Sequence, residues 1–253
     1  MKIIFLGTGT SQGIPVIACD CEVCNSIDYR DKRNRTSVFI EIEGKHFVID
    51  TGPDFRTQML RERIQRLDAV IITHGHKDHV GGLDDIRSFN FKQKMDMPLY
   101  ARQEVIDQLK QEFAYCFAEK KYPGVPQVVT NPISLSPFKI KDVTITPIEV
   151  MHYKLPVLGY RIGDFTYITD ANFISEEEKE KIKGSKVLVL NALQKEDHIS
   201  HFTLDQAVAL AQEIGAEQTY LTHLSHNMGK HRDVEKELPE GIQIAHDGLI
   251  VEL

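Results

Sequence analysis

The chain has 253 residues, 42% of them hydrophobic and 26% charged, and a formal net charge of −7. That balance fills a sizeable core, which excludes a disordered chain, and the length predicts one domain over residues 1–253. The acidic surplus weighs against nucleic acid as a partner, because polyanions usually meet a basic surface.

Met1 and Lys2 are followed by only four apolar residues before Gly7, too few for the apolar region of an export signal. No run is long enough to span a membrane. A cytoplasmic location is therefore expected, where the four cysteines read as metal ligands or free thiols rather than disulfides.

The first strand-like run, 2–6, leads into Gly7-Thr8-Gly9-Thr10-Ser11-Gln12-Gly13. This glycine-rich turn lacks Gly-x-Gly-x-x-Gly spacing and precedes no fitting helix, which argues against a dinucleotide site. Cys19, Cys21 and Cys24 follow, three thiols in six residues that need one further ligand to complete a tetrahedral zinc site. The basic stretches 30–35 and 61–66 read as a solvated loop and a solvated helix face.

Runs 38–42 and 46–50 read as a hairpin whose second strand ends in Asp50, followed by a helix over 54–66 with Phe55, Met59 and Ile64 on its buried stripe. Arg56 reads as a surface arginine of that helix, with phosphate contact as the alternative. The strand 69–73 runs into His74-Gly75-His76-Lys77-Asp78-His79, with a helix expected to start near Val80-Gly81-Gly82. Four imidazole and carboxylate ligands within six residues suit zinc, manganese or iron in an open catalytic site.

A helix over 102–113 buries Val105, Ile106, Leu109 and Phe113, and Cys116 beyond it reads as core. Strand 144–150 leads to His152, and strands 158–162 and 165–169 form a second hairpin ending in Asp170. Ser175 and Glu178 suggest a capping box, with the charged run 176–180 an exposed helix start closed by Gly184. Strand 187–190 ends at Asn191, Thr203 and Gln206 open a helix closed by Gly215, strand 219–222 ends at His223, and 242–245 is the last predicted strand. The two hairpins, each followed by a helix and a buried strand with a polar end, form a weak internal repeat. Such halves suggest two sheets covered outside by helices, with polar strand ends gathered at one edge.

His-x-His-x-Asp-His followed in order by His152, Asp170 and His223 resembles the metallo-β-lactamase superfamily, and the likeness covers essentially the whole chain. It implies an α/β metallo-β-lactamase fold, a four-layer αββα sandwich. By that resemblance His74, His76 and His152 hold one divalent ion (zinc, manganese or iron), Asp78, His79 and His223 hold a second, and Asp170 bridges both.

The opening strand and turn look like the phosphodiesterase branch, which includes tRNA-processing RNase Z and the phosphoribosyl cyclic phosphate phosphodiesterases. The latter, and a relative in pyrroloquinoline quinone synthesis, are similar in having an extra structural zinc, for which Cys19, Cys21, Cys24 and His226 are the candidates here. His201 looks like the histidine that protonates the leaving group, with His198 as its competitor. Asp50, the repeat partner of Asp170, is read as a carboxylate orienting a metal-bound histidine.

The expected activity is metal-dependent hydrolysis of a small cyclic phosphodiester resembling phosphoribosyl cyclic phosphate, with catalytic work assigned to Asp78 and His201. The alternatives are an RNase Z-like nuclease and an acyl hydrolase of lactones, thioesters or β-lactams. Only seventeen residues lie between His152 and Asp170, where RNase Z usually carries its tRNA-gripping arm. The expected partner is a small phosphodiester, with no membrane; self-association into a homodimer is compatible with the sequence.

Overall fold

Alternation along the first strand lays down the layers. In the computed structural model, which describes residues 1–253, Ile3 and Phe5 point into one apolar cluster and Ile4 and Leu6 into another, because successive strand side chains take opposite faces. All four are buried, so the strand is apolar on both sides, as a sheet covered on both faces requires.

The first sheet contains β1 (Lys2–Gly7), β2 (Ser37–Ile42), β3 (Lys45–Ile49), β4 (Ala69–Ile71), β5 (Met97–Ala101) and β6 (Val128–Pro132). The second contains β7 (Phe138–Ile140), β8 (Val143–His152), β9 (Leu155–Ile162), β10 (Phe165–Tyr167), β11 (Val187–Asn191), β12 (Gln218–Thr222) and β13 (Ile242–Ile244). The last strand, β14 (Ile250–Glu252), returns to the first sheet, giving the orders β14-β1-β2-β3-β4-β5-β6 and β13-β12-β11-β10-β9-β8-β7.

Between the sheets lies a cluster that includes Phe5, Phe47, Ile71, Tyr160, Phe165 and Tyr167. On the outer face of the first sheet pack α1 (Phe55–Arg61), the single turn α2 (Lys77–Val80), α3 (Arg87–Gln93), α4 (Gln103–Glu112) and α5 (Ala114–Phe117). The second sheet is covered by α6 (Glu176–Ile182), α7 (Leu204–Ile214) and α8 (His231–Glu235). Helix, sheet, sheet, helix is the expected four-layer arrangement.

The internal repeat has a physical counterpart. In each half an antiparallel hairpin (β2–β3, β9–β10) is followed by a helix and by a strand parallel to the second hairpin strand (β4, β11). Both second strands end at an aspartate in left-handed backbone, Asp50 at φ +67° and Asp170 at φ +55°.

Several expectations need correction. The helix expected over 54–66 ends at Arg61, and Arg63 turns the chain at φ +53° so that Ile64 still packs on the core. Strands β5, β6, β7 and β14 were not foreseen: three are short or half-exposed at sheet edges, and β6 carries Asn131 and Pro132. Glu178 is not part of a solvated run. It is buried and accepts a bond from the Glu149 backbone N–H at 3.0 Å, so Ser175 caps α6 without a reciprocal partner. The box at Thr203 and Gln206 is complete, and Gly215 closes α7 at φ +70°.

The stretch 30–35 is not simply solvated either. Arg33 is buried and donates to Thr8 Oγ1 at 2.7 Å and to the Ala245 carbonyl at 2.6 Å, tying the cysteine-bearing loop to the C-terminal part of the chain.

Candidate metal centre

The centre forms where the strand ends of the two sheets meet. Beyond β4 the chain passes Thr73 and His74, both buried, and α2 begins at Lys77, inside the His-x-His-x-Asp-His motif rather than after it. Asp78 and His79 therefore belong to the first turn of a helix. Gly75 keeps the loop against α4: a Cβ there would come 2.0 Å from Gln108 Oε1, and Gln108 Nε2 donates to the Gly75 carbonyl at 2.6 Å. Gly52 serves a similar close approach, since a Cβ on it would sit 2.1 Å from the Asp78 carbonyl oxygen.

The other predicted ligands arrive at the ends of second-sheet strands. His152 ends β8, Asp170 follows β10, and His223 follows β12 at φ +58°. Asp50, Asp170 and His223 thus all adopt the left-handed region, at a cost of about 1–3 kcal/mol each, a kind of strain that collects at functional sites.

Two groups of donor atoms result. His74, His76 and His152 form one, and Asp78, His79, Asp170 and His223 form the other, with the donor atoms within each group no more than 4.8 Å apart. His74 Nε2 lies 3.0 Å from His76 Nδ1. His79 Nε2 is 3.2 Å from Asp78 Oδ2 and 3.1 Å from Asp170 Oδ2, and His223 Nε2 is 3.2 Å from Asp170 Oδ1. With one oxygen towards His79 and the other towards His223, Asp170 occupies the middle of its group.

Neighbouring groups set the ring orientations. Asp50, fully buried, accepts from Thr73 N at 2.9 Å, from Thr73 Oγ1 at 2.8 Å and from His79 Nδ1 at 2.7 Å. The Thr73 hydroxyl proton is thereby committed to Asp50, so its oxygen accepts from His74 Nδ1 at 3.0 Å. His152 Nδ1 donates to the Ser200 carbonyl at 2.9 Å. In all three histidines Nδ1 carries the proton and Nε2 keeps its lone pair for the cluster, the arrangement metal-binding imidazoles adopt.

The electrostatics also call for a cation. Burial pushes the His79 imidazole down, but Asp170, Asp50 and Asp78 outweigh it and hold its pKa well above the usual histidine value. Burial pushes Asp170 up, yet His223 and His79 hold it well below the carboxylate range. His79 Nε2 and His223 Nε2 are buried without a hydrogen-bond partner. Buried orphan nitrogens among ionised carboxylates form a donor set that fits divalent ions.

His201 is buried beside this set, its Nδ1 3.9 Å from Asp170 Oδ1 and its ring stacked on His223 at 4.8 Å. Burial first, and then the His223 charge, push its pKa down to about 3. His198 is more exposed, with its ring 5.1 Å from that of His201. The structure also brings Cys19, Cys21 and Cys24 around His226, with Sγ to Nδ1 distances of 3.2, 3.4 and 3.6 Å. Arg56 lies elsewhere, exposed on α1 along a surface groove with Met59, Arg63 and Lys92. Cys116 is fully buried in the core.

Sequence reasoning missed the supporting polar groups. Thr73 was visible as a polar end to an apolar strand. So was Asn191, which holds the Ala171 backbone at 2.8 and 2.9 Å; Asn172, which bridges two loops of the site, carried no such signal.

Residues 45–224 match the family described as a β-lactamase superfamily domain. The chain belongs to the metallo-β-lactamase superfamily. It is 40% identical to a solved structure described as a new diphosphatase from the PhnP family, with a TM-score of 0.93 and coverage of 100% of this chain and 97% of that one. The zinc-bound PqqB of Methylobacterium extorquens shares the fold, with a TM-score of 0.82, 18% identity and 100% coverage of both chains.

A protein named octanoyltransferase from Porphyromonas gingivalis is 41% identical over 98% of this chain, but the match takes in 51% of that protein. The chain spans about half the length of the curated relatives it matches. No helix is long and apolar enough to cross a membrane.

Proposed function

We propose that the protein hydrolyses a small phosphodiester, with a cyclic diester of a ribose such as phosphoribosyl cyclic phosphate as the favoured substrate. The observation that carries this reading is the pair of donor groups, His74, His76 and His152 in one and Asp78, His79, Asp170 and His223 in the other, in a chain 40% identical over its full length to a PhnP-family diphosphatase. His74, His76 and His152 would hold one ion, Asp78, His79 and His223 the other, with Asp170 between them. Divalent ions held there would supply an activated water and neutralise the charge of the phosphate.

The protein's own groups do the rest. Asp50 and Thr73 fix the rings of His79 and His74, and Ser200 fixes His152. His201 stands at the edge of the set, where it would give a proton to the departing alkoxide. Cys19, Cys21, Cys24 and His226 would hold a separate zinc ion, whose binding would stabilise the fold.

The span from His152 to Asp170 is filled by the hairpin β9–β10, which leaves no room for a tRNA-gripping arm and supports a small substrate over RNA. We assign the acyl transfer in the Porphyromonas gingivalis protein's name to the half of it that has no counterpart here. A panel of a ribose cyclic phosphodiester, a diphosphate diester, a lactone and a β-lactam, offered to metal-replete protein, tests the reading. Turnover of a phosphate ester is expected. Faster turnover of the lactone or the β-lactam would overturn it.

A further inference from the structure

In the loops that carry His152, Asp170 and His201, three large apolar side chains face solvent: Tyr153 at 48%, Phe173 at 58% and Ile199 at 66% exposure. Each stands next to a residue of the centre in the chain. Tyr153 follows His152, Phe173 lies three residues past Asp170, and Ile199 lies two before His201.

Hydrogen bonds join these loops into one rim. Asn172 Oδ1 accepts from Tyr153 N at 2.8 Å, Asn172 Nδ2 donates to the Ile199 carbonyl at 3.1 Å, and Met151 N donates to the Phe173 carbonyl at 2.9 Å. Tyr153 is the first residue of a two-residue turn and has φ +57°, a conformation that favours glycine or asparagine. An exposed tyrosine there is neither the residue the turn prefers nor one the core requires. Lys154 Nζ lies 5.2 Å from the centre of its ring and leaves an ammonium at the same edge, which suits an anionic substrate.

We infer that Tyr153 and Phe173, exposed on loops tied together through Asn172 and Met151, offer aromatic faces to a flat aromatic group of the substrate, such as a nucleobase, while its phosphate lies at the donor set. This inference rests on the phosphodiesterase reading and narrows its substrate class. Aromatic faces bind bases by stacking with little regard to sequence, and their removal typically weakens binding by about 5- to 100-fold per base. Because the stack forms before the reacting bond changes, its loss should appear in KM more than in kcat.

The test compares adenosine 2′,3′-cyclic phosphate with the methyl riboside 2,3-cyclic phosphate, which has the same reacting bond and no base. Wild-type protein should favour the adenosine compound in kcat/KM by about 5- to 100-fold. Tyr153→Asn and Phe173→Ala should pull that ratio towards one, mainly through KM, while the Tm of Tyr153→Asn holds or rises because asparagine suits the turn. A wild-type ratio near one, or an equal loss on both compounds in the variants, overturns the stacking role and leaves the phosphodiesterase reading standing. Turnover of a lactone but of neither phosphodiester overturns the phosphodiesterase reading itself.

Discussion

His79 donates its Nδ1–H to Asp50 Oδ2 at 2.7 Å, and neither side chain reaches solvent. The same carboxylate holds the backbone and hydroxyl of Thr73, which in turn fixes His74. One aspartate outside both donor groups thus orients a histidine of each.

Asp50→Asn keeps the shape of the side chain and removes its charge. Metal affinity should fall by about 10- to 100-fold, the usual consequence of losing a carboxylate behind a metal-binding imidazole. Titration of metal against a competing chelator measures this. Wild-type affinity in the variant would reduce Asp50 to a packing role.

His201→Ala should depress turnover of an alkyl phosphodiester by about 10²- to 10⁴-fold, the range general acid catalysis supplies. A diester with an acidic phenol as leaving group should lose much less, since its anion departs without a proton. Because His201 also lies within 4.8 Å of His152 and Asp170 donor atoms, metal content must be measured alongside. A drop in metal content would make His201 a ligand, and equal losses on both diesters would end the acid assignment.

Cys21→Ser removes one of the three sulfurs gathered around His226 Nδ1. Closed sulfur sites of this kind add their binding energy to folding, so Tm should fall and bound zinc should drop by one per chain. Elemental analysis of wild-type protein purified without chelator should give three ions. Unchanged Tm and zinc in the variant would remove the structural assignment.

Gly52→Ala places a methyl group 2.1 Å from the Asp78 carbonyl oxygen, where backbone must move. A cost of about 3 kcal/mol is expected in urea unfolding. Gly44→Ala, with nothing within 4 Å of its Cβ and φ +72°, carries only the conformational cost of about 1 kcal/mol. Equal destabilisation of the two would mean that the close approach is not what Gly52 provides.

By itself the sequence determined the class of fold and singled out the first four residues of the candidate centre. His74, His76, Asp78 and His79 are adjacent in the chain, and the two hairpins repeat, so short-range pattern was enough to expect two sheets with polar strand ends at one edge. His152, Asp170 and His223 were named through resemblance, because single polar residues at strand ends carry little signal alone.

The tertiary structure decided what depends on contacts between distant segments. It paired β14 with β1, buried Arg33 against Thr8 and Ala245, and turned Glu178 inward to the Glu149 backbone. It also set Asn172 between Tyr153 and Ile199. A buried charge or a bridging amide is chosen for the partner it satisfies, and that partner lies tens to hundreds of residues away, beyond what local periodicity records.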